Sequence, residues 1–229
     1  MSAHLYTYQL SYISVLKCAS SSLKALFDKI ERNGSTSIWP FDLMSRQSVH
    51  DKYPSIRFED QPHDAIKDHF KFAVVRSPIS RLLSVYKEKI LLMRVLFWRL
   101  ERKNLKAMGL TKTPDFECFV DNLDAYRKAS PMIEGHTQPL SYFLGQDPSW
   151  YSEIYNIAEL RDRGYSMISQ KTNTDIKLPV KNSWGPSRVK VSQTTRNQIQ
   201  QKFAEDYDLF GHWFDAQASK PQYENRIVN

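Results

Sequence analysis

The stretch that most constrains the fold is Ser14-Val15-Leu16-Lys17-Cys18-Ala19-Ser20-Ser21-Ser22-Leu23-Lys24. Upstream of it, Leu5 to Val15 is rich in β-branched and aromatic residues, so the second half of that segment reads as a strand. Downstream, Leu23, Leu26, Phe27 and Ile30 recur at i, i+3, i+4 and i+7, one face of a helix expected to end near Asn33-Gly34. Strand, tight loop and helix make the opening unit of an α/β fold. Such a helix start is also a ready anion site, because its first N–H groups lack intrahelical partners and the helix dipole is positive there. Lys17 and Lys24 bracket the loop with positive charge, while Ser20, Ser21 and Ser22 offer caps or further donors. The same residues admit a plainer role, with one serine as an N-cap and both lysines solvated.

A second unit of the same kind follows. Phe70 to Val75 reads as a buried strand stopped by Arg76-Ser77-Pro78, and the next helix carries Leu82, Leu83, Tyr86, Lys89 and Ile90, with Pro78 suited to its entry. Arg76 falls where a parallel strand would end, and Ser84 lies eight residues later on the helix. Open α/β sheets bind ligands just beyond the carboxyl ends of their strands, where Lys17 and Arg76 both map.

Elsewhere the pattern is less decisive. Residues 34–69, punctuated by Pro40, Pro54 and Pro62, read as a loop-rich excursion in which His50 can titrate near neutrality. Leu91 to Met108 predicts a basic helix; Arg94 and Arg99 interrupt its apolar run, so it is too short to span a membrane. A core-facing helix with a solvated basic edge is favoured over a membrane-surface or partner helix. Phe116 to Leu123 continues as a short helix, and Pro131 to Leu140 reads as a loop that presents His136, with Glu134 beside it, to a cleft. A strand around Glu153–Ile157, a helix opening at Glu159-Leu160, a polar stretch 171–191 and a final helix Thr194–Ala204 complete the order, with Asp206 to Gly211 closing the core. The absence of repeats or of a change in composition predicts one domain over 1–229, with its core in about 5–215 and a frayed tail from Gln217 onward.

Charge narrows the ligand class. With 32 Lys+Arg against 25 Asp+Glu the chain carries +7, which favours anionic ligands. Two cysteines, Cys18 and Cys118, are too few for a disulfide framework and lack metal-ligand spacing, so no metal is expected; a packed thiol is favoured at Cys18 over a reactive one. No signal-peptide pattern opens the sequence, which predicts a cytoplasmic protein.

Taken together these stretches resemble the carbohydrate sulfotransferases of the Golgi-type family 2, in a bacterial-like cytoplasmic form. Leu16-Lys17-Cys18-Ala19-Ser20-Ser21-Ser22-Leu23-Lys24 is similar to their first loop, and Phe72 through Tyr86, with Arg76-Ser77-Pro78 and Arg81-Leu82-Leu83-Ser84-Val85-Tyr86, closely resembles their second motif. Glu134-Gly135-His136-Thr137-Gln138-Pro139, Lys181-Asn182-Ser183 and Asp206-Tyr207-Asp208-Leu209-Phe210-Gly211 are similar to later family segments, so the resemblance runs from about residue 10 to 212. Leu16 stands where the family usually has proline, and Ala19 and Ser20 replace the common Gly and Cys.

The resemblance implies a P-loop-like α/β fold with a central parallel sheet flanked by helices. It also implies transfer of sulfonate from 3′-phosphoadenosine 5′-phosphosulfate (PAPS) to a hydroxyl of a carbohydrate or glycan-like acceptor, leaving adenosine 3′,5′-bisphosphate. The 5′-phosphosulfate would rest on the N–H groups of Ala19 to Leu23 between Lys17 and Lys24, within a loop that includes Cys18; the 3′-phosphate would meet Arg76 and Ser84. Lys17 would stabilise the leaving oxygen, and His136 would act as base, with Glu134 and His50 in reserve. Two other classes stay open. A P-loop phosphotransferase shares the strand–loop–helix geometry, although this chain lacks Gly-x-x-x-x-Gly-Lys-Ser/Thr. A polyanion-binding module would use basic residues interleaved with aromatics, which Arg94 to Lys106 approaches most nearly; a nucleic-acid partner is not expected.

Overall fold

The computed structural model describes residues 2–32, 46–176 and 189–214, with the backbone alone of 46–48. Four strands form one sheet in chain order: β1 (Ala3–Leu5), β2 (Leu10–Ile13), β3 (Phe70–Val75) and β4 (Glu153–Asn156). β1 runs antiparallel to β2 at the edge, whereas β2, β3 and β4 are parallel. Ile13 pairs with Ala73 and Val75 with Asn156, so the parallel strands end on one side of the molecule. The near-continuous burial of β2 and of Phe72–Val75 is that of a parallel sheet covered on both faces.

α1 (Ser20–Glu31) buries the expected stripe of Leu23, Leu26, Phe27 and Ile30. It ends with Arg32, whose N–H returns to the Asp28 carbonyl at 3.1 Å. Phe27 joins Tyr12 and Phe72 in a core that continues through Val74, Leu140, Phe143, Tyr155 and Phe210. α2 (Arg46–Lys52) and two single turns, Phe58–Asp60 and His63–Ile66, occupy the described part of the excursion before β3.

A second core is wholly helical. α3 (Pro78–Val85) begins with Pro78 at its first position and Ser77 capping the Ser80 amide, and continues through a wider π-helical stretch, Tyr86–Leu92. α4 (Arg99–Ala107), α5 (Phe116–Asp121), α6 (Leu123–Ala129), α7 (Pro131–Thr137) and α10 (Gln193–Lys202) pack with it around Val85, Leu96, Phe119, Tyr126, Ile133 and Ile199. α8 (Leu140–Leu144), α9 (Tyr165–Thr172) and α11 (Ala204–Phe210) complete the described helices.

Two expectations are corrected. Residues 91–108 are not one helix: Arg94 takes a left-handed φ of 51°, with its guanidinium 4.4 Å from the Phe97 ring centroid. That reversal turns Val95 and Leu96 into the second core, which a straight helix could not do while leaving Leu91 to Met93 outside. Residues 131–137 are helix and not loop, because Pro131 occupies the first helical position, where the missing N–H has no intrahelical role, and Ser130 caps the Ile133 amide. Lys181-Asn182-Ser183, Arg188 and the tail 217–229 lie outside the described residues. Among the described residues no helix is long and apolar enough to cross a membrane.

Candidate active site

The loop after β2 is held in an uncommon backbone conformation. Lys17 and Ala19 both have positive φ, 68° and 61°, a left-handed region that costs L-residues roughly 1–2 kcal/mol each. Ala19 thus reaches, with a Cβ, the conformation a glycine would adopt freely. The Cys18 amide is taken by the Val15 carbonyl at 3.2 Å, and the Leu23 amide closes the first helical turn on Ala19 O at 3.1 Å. Ala19 is the N-cap of α1 and has no side-chain acceptor to offer. The Leu23 amide is therefore taken within the helix, which removes it from the expected donor set Ala19 to Leu23. Cys18 itself is a buried thiol whose pKa is raised by desolvation, the packed form favoured from sequence.

Adjacent β2 and β3 bring Lys17 and Arg76 together. Arg76 Nη1 donates to the Lys17 carbonyl at 3.3 Å, and its buried Nε has no protein acceptor among the described residues. The Lys17 ammonium pairs with the Glu88 carboxylate. Burial lowers the lysine pKa against the opposing pull of Glu88, and Lys17 with Lys89 outweighs desolvation to hold Glu88 at about 2. Ser84 lies on α3 one turn before Glu88, half-buried.

Lys24 is not a solvated flank of the loop. It is fully buried beside the first turn of α1, where its ammonium donates to Ser55 Oγ at 2.9 Å and to His50 Nδ1 at 3.5 Å, and burial lowers its pKa to about 8. His50 Nε2 meets Ser21 Oγ at 2.9 Å, and Ser55 Oγ meets Ser14 Oγ at 2.8 Å. An ammonium only donates, so Nδ1 of a neutral His50 accepts and Nε2 carries the proton toward Ser21.

His136 sits in the last turn of α7, half-buried. Its Nδ1 lies 2.8 Å from the Met132 carbonyl, which can only accept, so Nδ1 carries the hydrogen and Nε2 keeps the lone pair. Burial lowers its pKa to about 4, with Lys89 and Lys17 adding to the shift and Met132 and Glu88 opposing it. His136 is therefore neutral at pH 7 and feels the charges at the Lys17 end of the loop. Glu134 is exposed on the same helix.

A strand–loop–helix unit next to an arginine at the neighbouring strand end does not by itself name a reaction. The deciding observation is that the family model described as "Sulfotransferase family" matches residues 6–214. The chain belongs to the sulfotransferase family. The match spans the first loop, the Arg76 motif, α7 and α11 alike. No curated protein and no solved structure matches this sulfotransferase.

Sequence reasoning missed three groups. Glu88, the partner of Lys17, follows Ser84 by one turn, and that i, i+4 spacing is the signal it offered. Arg81 and Asp206 are both buried: Arg81 donates to Gln138 O at 2.8 Å and lies 3.8 Å from Asp206, whose Oδ1 accepts the amides of Leu140 and Ser141 at 2.7 and 3.3 Å. This pair supports the segment after His136; the sequence places Asp206 in a segment that closes the core, but nothing in it pairs that carboxylate with Arg81.

Proposed function

We propose that this sulfotransferase moves the sulfonate group of PAPS to a hydroxyl of a carbohydrate or glycan-like acceptor by in-line transfer. The observation that carries the reading is the convergence of the uncapped start of α1 with Lys17 and Arg76 at the ends of two adjacent parallel strands. The residues fit such a donor: a helix start without a side-chain cap, the Lys17 ammonium paired with Glu88 beside it, and an arginine with a buried Nε lacking a protein acceptor among the described residues. PAPS, when bound, supplies an activated sulfonate whose bond to phosphate oxygen breaks as the acceptor oxygen bonds to sulfur.

In this reading the Ser20–Ser22 amides hold the 5′ group, and Arg76 and Ser84 hold the 3′-phosphate. Lys17 leaves Glu88 to neutralise negative charge on the departing oxygen, an interaction strongest in the transition state. Nε2 of neutral His136 takes the acceptor proton. His136 is preferred to His50 because both ring nitrogens of His50 are engaged, by Lys24 and Ser21.

Calorimetry should show binding of adenosine 3′,5′-bisphosphate and no comparable binding of ATP; the reverse order would favour a phosphotransferase. A screen of sugar and glycan acceptors with radiolabelled donor tests the acceptor class. His136→Ala is expected to lower turnover by about 10²-fold or more while leaving bisphosphate affinity unchanged; wild-type turnover would move the base elsewhere.

A further inference from the structure

Eight large hydrophobic side chains are exposed among the described residues, and six of them, Leu91, Leu92, Met93, Trp98, Leu100 and Met108, fall in one stretch of chain. Leu92 and Leu100 keep 58% and 57% of their surface in contact with solvent, so neither serves the core. The same stretch exposes Arg94, Arg99, Arg102, Lys103 and Lys106. Its one acid, Glu101, is turned inward, where its carboxylate accepts from Ser130 Oγ at 3.2 Å. The stretch is compactly built, since the π-helical turn, the Val95–Phe97 turn and α4 pack in succession while Val95, Leu96 and Leu105 anchor them to the second core.

We propose that residues 91–108 form a docking surface for an anionic lipid bilayer. Large apolar side chains among arginines and lysines, with no exposed acid, match a membrane interface, where apolar groups enter the acyl boundary and cations meet anionic headgroups. A soluble polyanion or nucleic acid would engage the cations alone and leave the leucines in water. A second copy of the chain would set five positive charges against five, which opposes pairing through this face. Leu91 and Leu92 close the turn that carries Glu88, the partner of Lys17, so docking would hold the candidate active site beside the bilayer.

The test is flotation of the full chain with vesicles of phosphatidylcholine alone and of equimolar phosphatidylcholine and phosphatidylserine. Binding is expected only with phosphatidylserine, with a blue shift of tryptophan emission that Trp98→Phe removes. Leu92→Ser combined with Leu100→Ser should weaken partitioning about tenfold or more, and Arg102→Glu or Lys106→Glu about fivefold or more each, with unchanged circular dichroism. Absence of vesicle binding would overturn the proposal. So would binding indifferent to the leucine substitutions, or binding to heparin that depends on the same leucines, or a concentration-dependent dimer abolished by them. Should the double leucine variant fold poorly, the Trp98 shift in the otherwise unaltered chain decides the matter by itself.

Discussion

Around the sheet, Tyr12 and Phe72 stand side by side on strands whose backbone ladder fixes them as neighbours, and Phe27 of α1 packs against both rings. The helical half holds a comparable aromatic chain, Tyr86, Phe116, Phe119 and Tyr126, but carries it on separate short elements. There the joints are single side chains reaching to backbone: Tyr86 Oη to Pro114 O at 3.0 Å, Tyr126 Oη to Thr111 O at 2.9 Å, and Asn104 Nδ2 to Ala129 O at 2.9 Å. The buried Arg81–Asp206 contact links α3 of the helical core to α11, whose Phe210 belongs to the sheet core. A sheet end can therefore position a ligand loop by register, whereas the helical half depends on individual polar links to place His136.

The difference can be probed in order of effect. Lys17→Ala and Arg76→Ala, at the sheet end, should each lower sulfonate transfer by about 10³-fold or more with an unchanged melting curve, because the ladder holds the loop in place; substantial residual turnover would remove these residues from the site. Asp206→Ala should cost about 3–5 kcal/mol in urea unfolding, since it leaves Arg81 buried without a counterion and frees the amides of Leu140 and Ser141. A cost below about 1 kcal/mol would show that the two halves are joined elsewhere.

Acid should act on both halves through a buried neutral histidine. His4 in β1, whose Nδ1 meets the Ser11 hydroxyl that also meets His69, has its pKa lowered to about 4 by burial, with His69 and the N-terminus adding; His136 is likewise at about 4. An unfolded chain protonates these rings near 6.5 while the folded chain resists until about 4, so stability is full above 6.5 and falls as pH drops toward 4. His4 contributes about 3 kcal/mol to that loss by the free energy of a pKa shift, and half-exposed His136 contributes less. Urea titrations at pH 7 and pH 4 should show His4→Gln losing much less stability on acidification than wild type; equal losses would place the acid sensitivity in the helical half. The smallest effect is at the loop. Ala19→Gly should raise stability by about 0.5–1 kcal/mol, since glycine adopts positive φ without strain and is a better N-cap than alanine; a melting point lowered by the change would mean that the Ala19 methyl matters more than its backbone.

Much of the sheet half is legible in the amino-acid sequence. Leu10 to Ile30 announces strand, small-residue loop and apolar helical stripe because each choice is local, and Phe70 to Pro78 repeats the order with a proline fitted to a helix entry. The helical half misleads where local cues are ambiguous: Pro131, Gly135 and Pro139 suggest a loop, yet a capped helix accommodates the first two and stops at the third. Likewise Leu91 to Met108 has a helical composition, and only the need to bury Val95 and Leu96 reverses the chain at Arg94.

The sequence by itself determined the α/β order, the position of the loop before α1, the strand-end Arg76 and the family. Tertiary structure alone decided that Lys17 pairs with Glu88, that Lys24 is buried on His50 and Ser55, and that His136 stays neutral. The physical reason is range: propensity, capping and periodicity act within a few residues, whereas desolvation and charge pairing depend on which surfaces the whole fold brings into contact.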